Sequence, residues 1–133
     1  MHKIDLHIHS HHSDGKSSCR ELIQLAGKHK VELVSITDHD TLNGLDEAIE
    51  TAGELKIPYI AGIEISTSVE DMLHVLGYGI NPKDEEFTAF VNYCNKKRYE
   101  RLDKFVAQLN KHGIKITSAD VTDISNHPRH VYT

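Results

Sequence analysis

The alternation of strand-length apolar runs with amphipathic stretches of helical period constrains this chain's fold more than any other feature. Strand patterns occupy residues 3–9, 32–37, 57–63 and 72–80, and helix patterns occupy about 18–30, 45–55 and 84–112. Strands that alternate with helices form parallel sheets whose faces the helices cover. The pattern therefore predicts an α/β fold built on consecutive parallel strands.

Local residues mark where several of these elements begin and end. Ser18 followed by Glu21 has the spacing of a capping box, which is typical of a helix N-terminus. Gly113 is placed to end the long helix. After Ile114 the pattern weakens to a short strand or extended segment and a short helix near residues 118–124. The apolar side of the long helix is predicted to comprise Phe87, Phe90, Val91, Cys94, Leu102, Phe105, Val106 and Leu109.

Composition and charge exclude several classes of protein. The 133 residues are 38% hydrophobic and 26% charged, which is ordinary for one folded domain of a soluble protein. The formal charge of −5 gives no strong signal for binding duplex nucleic acid. No apolar run approaches the ~20 residues of a membrane span, and the N-terminus lacks a signal-peptide core. Cys19 and Cys94 form no CxxC pair and are expected to be packing groups in a cytoplasmic protein.

Histidines and carboxylates are concentrated where the predicted strands end. In IDLHIHSHHSDG, residues 4–15, apolar and polar side chains alternate, so His7 and His9 share one strand face. The later polar positions are Asp38, His39 and Asp40 after the second strand, Glu64 after the third and His74 within the fourth. The carboxyl ends of parallel strands meet at one edge of a sheet. Imidazole and carboxylate groups collected there predict a metal site of more than one ion.

Four motifs carry a resemblance to a known family. DLHIHSHHSDG, ITDHDT, GIEIST and LHVLGYGI occur in this order and resemble successive motifs of the PHP family, the polymerase and histidinol phosphatase superfamily of metal-dependent phosphoesterases. The resemblance covers residues 1 to about 80 sharply and continues more loosely to the end. It implies a PHP domain over residues 1–133, with a metal-motif core in 1–80 and a long helix and tail in 84–133.

The resemblance also implies a fold, a distorted seven-stranded (β/α) barrel with its metal centre at the carboxyl ends of the parallel strands. A complete barrel takes ~200 residues or more, so this chain covers about half of one. The family's late Asp-x-His motif has no counterpart here. We expect a fragment of a longer protein, or a barrel completed by another subunit through self-association or domain exchange.

A set of ligands for two or three divalent ions of zinc, manganese or iron follows from the resemblance. The implied ligands are His7, His9, Asp14, His39, Glu64 and His74. Glu64 would bridge two ions, with the histidines of the first strand on one and His74 on the other. Asp14 and His39 would hold a third ion. Asp38 and Asp40 would hold ligand imidazoles in one tautomer.

Other polar residues receive weaker assignments. His11 and His12 are expected in the loop after the first strand or as supporting groups rather than as ligands. The family's Arg-Pro-His element is altered here to His-Pro-Arg-His, residues 127–130. The positions assigned to the substrate phosphate are Arg129 and His130, with weaker assignments for Lys97, Arg98 and Arg101. A solvated helix face is the alternative for the basic run 96–101.

The function that the resemblance implies is hydrolysis of phosphate esters by a metal-activated water, as in-line displacement at phosphorus. The substrate would be a small phosphorylated metabolite or a nucleotide. A metal-binding PHP module without turnover and a metal-dependent amidohydrolase are the alternatives. Phosphate release, metal binding without turnover, and amide or lactone hydrolysis would distinguish the three.

Overall fold

A parallel strand pair and an antiparallel strand pair form the framework of the protein in a computed structural model that describes residues 2–67 and 73–124. The elements are β1 (Ile4–Ile8), α1 (Cys19–Lys28), β2 (Leu33–Ile36), α2 (Leu45–Leu55), β3 (Gly62–Ser66), β4 (His74–Tyr78), α3 (Glu85–Lys111) and α4 (Ser118–Ile124). β1 pairs with β2 in parallel, and β3 pairs with β4 antiparallel. Isolated parallel bridges join Val34 to Tyr59 and His39 to Glu64, so the two pairs adjoin. The α/β class predicted from the sequence is confirmed.

The fourth strand does not run in the predicted direction. β4 lies antiparallel to β3, with Ser66 opposite His74 and Gly62 opposite Tyr78. Only residues 67–73 separate the two strands, whereas a parallel connection needs a crossover of about a dozen residues or more. The prediction of four parallel strands was therefore wrong. His74 still reaches the predicted edge, because the start of β4 lies beside the end of β3.

The third strand begins later than the predicted range of 57–63. The Pro58 carbonyl accepts a hydrogen bond from the Val34 amide, and the Ile60 amide donates to the Val34 carbonyl, so this stretch contacts β2. Regular strand pairing begins at Gly62, where β4 is an additional, antiparallel partner. The apolar pattern located the chain segment correctly but not the residue at which the regular strand begins.

The core lies between β2 and the first two helices. α1 and α2 pack on each other and on β2. The buried cluster consists of Cys19, Ile23, Ala26, Val34, Ile36, Ala48 and Ala52. Small alanines at the helix contact let the two backbones approach closely. The predicted packing role of Cys19 agrees with its full burial.

The capping box predicted at the start of α1 is present. The Ser18 hydroxyl accepts a hydrogen bond from the Glu21 amide at 3.1 Å, and the Glu21 carboxylate accepts one from the Ser18 amide at 2.8 Å. Both bonds satisfy amides that a helix leaves without partners in its first turn.

Replacing this cap has a predictable effect on stability. We expect Ser18→Ala to lower the free energy of unfolding by about 1 kcal/mol, because an alanine cannot accept from the Glu21 amide. Urea denaturation followed by circular dichroism measures the change. Ser18→Asp is the comparison, because aspartate keeps an oxygen that can accept from the Glu21 amide; an equal loss in both variants would contradict the assigned role of the capping box.

The long helix α3 buries less of its apolar side than its pattern predicts. Val91, Leu102 and Val106 are buried, but Phe90 is 47% exposed and Phe105 is 62% exposed. Both phenylalanines belong to the predicted apolar side of the helix, so that side is only partly covered. The helix contacts mainly β3 and α4, and these short elements cover only part of its length. Asp84 caps its N-terminus and Gly113, with φ of +85°, follows its C-terminus.

The segments after α3 agree with the sequence pattern. Residues 114–117 are extended without strand pairing, and α4 spans the predicted range 118–124. Among the helices in the described ranges, none has the length and apolar character needed to cross a bilayer.

Candidate metal centre

All six side chains predicted as ligands lie together at the edge where β1, β2 and β3 end. Their ligand atoms form three interlocking groups, each with its members within 4.8 Å of one another: His7 with His9 and Glu64, His9 with Asp14 and His39, and His39 with Glu64 and His74. His9, His39 and Glu64 each belong to two groups. We call these six side chains the metal centre, and their role as ligands stays a prediction.

Glu64 lies at the middle of the metal centre and is only 5% exposed. Its Oε2 atom lies 2.9 Å from His7 Nε2 and 2.7 Å from His9 Nε2. Its Oε1 atom lies 2.9 Å from His74 Nδ1. The two carboxylate oxygens thus face different histidines, which is the arrangement that a bridging carboxylate requires.

Asp14 and His39 lie on the other side of His9. The Asp14 carboxylate is 2.5 Å from His9 Nδ1 and 3.9 Å from His39 Nε2. His39 Nε2 is also 3.6 Å from the Glu64 carboxylate. The His39 ring therefore faces both carboxylates without a short contact to either.

One buried nitrogen supports the interpretation of these groups as a cation site. His9 Nε2 is buried and has no hydrogen-bond partner among the described residues, although Glu64 Oε2 is only 2.7 Å away. The close approach does not have the angles of a hydrogen bond. A nitrogen lone pair and a carboxylate directed at the same region repel each other unless a cation lies between them. The donor set, imidazole nitrogen with carboxylate oxygen, suits zinc, manganese or iron.

The protonation states of His39, Glu64 and Asp14 also suit a cation site. Burial lowers the pKa of His39 to about 4, against an opposing attraction to Glu64. Burial tends to raise the pKa of the Glu64 and Asp14 carboxyls, but their histidine neighbours outweigh it, and both pKa values fall below their ordinary range. At neutral pH His39 is therefore neutral and both carboxylates are ionised. These are the states that bind divalent ions.

Backbone pairing fixes the two central ligands relative to each other. The Asp40 amide donates to the Glu64 carbonyl at 3.0 Å, and the Glu64 amide donates to the Asp38 carbonyl at 3.2 Å. These bonds form the parallel bridge between His39 and Glu64. The segment ITDHD and the strand GIEIS are thereby held in register, so His39 and Glu64 face the same space.

Asp38 anchors the loop that carries Asp14. Its carboxylate accepts hydrogen bonds from the Ser10 amide at 2.7 Å, the Ser10 hydroxyl at 2.6 Å and the Ser13 hydroxyl at 2.6 Å. The sequence predicted an imidazole partner instead. That role stays a prediction; these hydrogen bonds come from two serines, because the loop folds back over the carboxylate.

Close packing in the same loop requires glycine at position 15. A Cβ atom there would lie 2.0 Å from the carbonyl oxygen of His9, which is backbone and cannot move away easily. The Gly15 amide also donates to the Ser10 carbonyl at 2.9 Å. The Asp-Gly pair therefore folds the loop tightly enough to bring Asp14 against His9.

The loop gives a second test of stability. We expect Asp38→Asn to lower the free energy of unfolding by about 2 kcal/mol, because an amide can no longer accept all three serine hydrogen bonds. Thermal or urea denaturation measures this loss. Asp46→Asn, at an exposed position in the first turn of α2, should cost less than about 1 kcal/mol; an equal effect would contradict the assigned role of Asp38.

Asp40 links the metal centre to α3 and adopts a left-handed conformation with φ of +50°. Its carboxylate accepts from the Ser66 amide at 2.9 Å and from Arg98 Nη1 at 3.0 Å. Its carbonyl accepts from Asn95 Nδ2 at 3.3 Å. Two residues of α3 and the end of β3 contact this aspartate, and its predicted role toward a ligand imidazole stays a prediction. A residue with positive φ is strained, and these contacts hold it in place.

Of the side chains assigned to the substrate phosphate, the structure describes those on α3. Arg98 is nearly buried in its ion pair with Asp40, with 8% of its side chain exposed. Arg101 is exposed, and Lys97 pairs with Glu100 at 2.7 Å. Arg129 and His130 lie outside the described residues. The geometry thus gives Arg98 a positioning contact, while its contact with phosphate and that of Arg101 stay predictions.

Sequence reasoning missed Ser10 and Ser13 as supporting residues. Both serines are fully buried or nearly so, and both donate to Asp38. The pattern SHHSD contained a usable signal, because serines that flank a tight turn often donate to nearby acceptors. His11 and His12 lie in this same loop after β1, as predicted, and the centroids of their rings are 4.3 Å apart.

The fold and the metal centre define an α/β protein with a candidate multinuclear metal site at its strand ends. The PHP domain family matches residues 5–129, and the chain belongs to that family. The resemblance drawn from the four motifs is thereby confirmed.

Proteins of known name or structure agree with this family assignment. A 3',5'-nucleoside bisphosphate phosphatase from Chromobacterium violaceum is 36% identical over 115 residues, which are 86% of this chain and 40% of that protein. A solved amidohydrolase from Chromobacterium violaceum, with bound sulfate and no metal, has a TM-score of 0.82 and 32% identity. The match covers 97% of this chain and 46% of the amidohydrolase chain.

A second solved structure is described as a metal-dependent phosphoesterase from Bifidobacterium adolescentis. It has a TM-score of 0.80 and 30% identity, over 98% of this chain and 46% of that one. The chain therefore spans less than half the length of these relatives. The fold of the described residues matches that of PHP-like proteins.

Proposed function

We propose that this PHP domain contributes the larger part of a metal centre that hydrolyses phosphate esters. The observation that carries the proposal is the position of Glu64, whose two carboxylate oxygens face different histidines within 2.9 Å. A bridging carboxylate places two cations close together, and paired cations are typical of enzymes that act on phosphate esters. The name of the bisphosphate phosphatase relative supports the same reaction class.

We assign ligand roles to the six side chains of the metal centre. Glu64 would be shared between two ions, with His7 and His9 on one side and His74 on the other, and Asp14 with His39 would hold a third. When bound, zinc, manganese or iron would supply Lewis acidity that acidifies water and neutralises phosphoryl charge. The imidazole nitrogens and carboxylate oxygens would hold the cations, and the contacts of Asp38 and Asp40 keep these segments in position.

The proposed substrate class is a small phosphorylated compound, with a nucleotide carrying 3' and 5' phosphates as the first candidate. The relative named for that substrate is 36% identical. The chain itself has a formal charge of −5, so an anionic substrate needs local positive charge. The bound cations would supply that charge at the edge of the sheet.

The test is phosphate release by the purified chain from adenosine 3',5'-bisphosphate in the presence of manganese, zinc or iron. Metal content is measured on the same samples by mass spectrometry. Metal-dependent release that a chelator abolishes would support the proposal. Hydrolysis of amides or lactones with none of phosphate esters would contradict it, and would favour the activity for which one structural relative is named. Tight metal binding with no hydrolysis of any substrate would indicate a non-catalytic metal module.

A further inference from the structure

A second group of metal-binding side chains lies outside the metal centre. His12, Cys19 and Glu47 each offer one ligand atom, and these atoms lie within 4.8 Å of one another. His12 is in the loop after β1, Cys19 is the first residue of α1 and Glu47 is in the first turn of α2. Three segments that are distant in sequence thus bring a nitrogen, a sulfur and a carboxylate oxygen together.

The packing around Cys19 and His12 is unusually close. Cys19 is fully buried. Gly44 caps α2, and a Cβ atom there would lie 2.5 Å from Cys19 Sγ and 2.6 Å from His12 Cδ2. The φ of Gly44 is −89°, which any residue can adopt, so the glycine is required for space rather than for backbone conformation. The absence of a side chain there lets α2 bring Glu47 against the other two residues.

The surroundings make Cys19 a poor nucleophile in the absence of a cation. Burial raises the pKa of the Cys19 thiol to about 11, and the neighbouring Asp38 and Glu47 carboxylates act in the same direction against a hydrogen bond from Ser10. The thiol is therefore neutral at physiological pH and does not attack substrates. A divalent cation beside it would reverse this preference.

We propose that His12, Cys19 and Glu47 bind one borderline or soft divalent ion, with zinc as the first candidate, at a site separate from the metal centre. Thiolate sulfur, imidazole nitrogen and carboxylate oxygen are the ligands that zinc takes in proteins. Binding converts the Cys19 thiol to a thiolate and releases its proton to solvent. The ion would join the loop 9–17 to the first turns of both helices.

The site would have a structural effect on the metal centre. The loop that carries His12 also carries Asp14, which contacts His9 at 2.5 Å. An ion on His12 would hold this loop against the first turns of α1 and α2. The proposal concerns metal binding alone, so its outcome does not depend on whether the chain hydrolyses phosphate esters.

Cobalt(II) titration of the whole chain separates this site from the metal centre. Cobalt bound to a thiolate gives a near-ultraviolet charge-transfer absorption that nitrogen and oxygen ligands do not give. The six residues of the metal centre include no cysteine, and the chain contains only Cys19 and Cys94. We expect the absorption in the native chain and in Cys94→Ser, and its loss in Cys19→Ser. Absence of the band at saturating cobalt, or its loss in Cys94→Ser alone, would overturn the proposal.

A further variant keeps the test decisive if Cys19→Ser does not fold. Glu47 is only partly buried, so Glu47→Gln should keep the native circular dichroism spectrum. We expect this variant to bind the thiolate-linked cobalt at least about tenfold more weakly. Glu50→Gln, at an exposed position on the same helix, is the matched control. An unchanged affinity in Glu47→Gln would contradict the assigned ligand set.

Discussion

Glu64→Gln is expected to bind fewer metal ions and to lose nearly all hydrolysis of phosphate esters. The native carboxylate faces His7, His9 and His74 through both oxygens. A glutamine has no negative charge and offers one carbonyl oxygen, so it cannot bridge two cations. We expect the rate to fall by about a thousandfold or more, since paired cations supply most of the charge stabilisation in such reactions.

Metal analysis and rate measurement on the same variant decide the outcome. Glu50→Gln is the matched control, because Glu50 is exposed on α2 and is not one of the six side chains of the metal centre. It should keep native metal content and rate. Full activity and normal metal content in Glu64→Gln would exclude the proposed centre, whereas loss of both in Glu50→Gln would show an effect unrelated to bridging.

Arg98→Met is expected to destabilise the protein by about 3–5 kcal/mol, because it leaves the Asp40 carboxylate without its nearby guanidinium. That carboxylate is 1% exposed and the arginine side chain 8% exposed, so water cannot replace the lost contact easily. Loss of the ion pair should also loosen the segment that carries His39. Methionine keeps the apolar stem of the side chain but not the guanidinium, so the loss reports mainly on that charged group.

The same variant distinguishes positioning from phosphate binding. Arg101→Met, on the exposed side of α3, should change stability by no more than about 0.5 kcal/mol. If Arg98 acts through Asp40, its loss should lower the thermal midpoint and the metal affinity while KM changes little. A native thermal midpoint with a raised KM would instead identify Arg98 as the phosphate contact predicted from the sequence.

Features of the fold that depend on residues close together in the sequence could be predicted well. The capping box of Ser18 and Glu21 depends only on spacing within one turn, and it is present with both hydrogen bonds. The alternation in IDLHIH placed His7 and His9 on one strand face, and both lie with the other side chains of the metal centre. The polar residues at the strand ends could also be predicted, because the sequence shows where an apolar run gives way to polar residues. This does not depend on which strand pairs with which.

Features that depend on distant partners could not be predicted in the same way. The direction of β4 was wrong, although the short connection at residues 67–73 would have excluded a parallel crossover. Asp38 contacts Ser10 across 28 positions of sequence, and Asp40 contacts Arg98 across 58. Phe105 is apolar yet 62% exposed, because burial depends on which elements face α3 and not on the helix pattern itself.

The metal content of the purified chain, measured by elemental mass spectrometry coupled to size exclusion, tests the central claim most directly. The ligand groups around Glu64, His9 and His39 predict two or three ions per chain after loading with manganese, zinc or iron. The Cys19→Ser variant should be measured in parallel, so that an ion at the separate thiolate site is not counted with the metal centre. Two or more ions retained in that variant would support the multinuclear centre. Less than one ion per chain in a folded Cys19→Ser variant would contradict it.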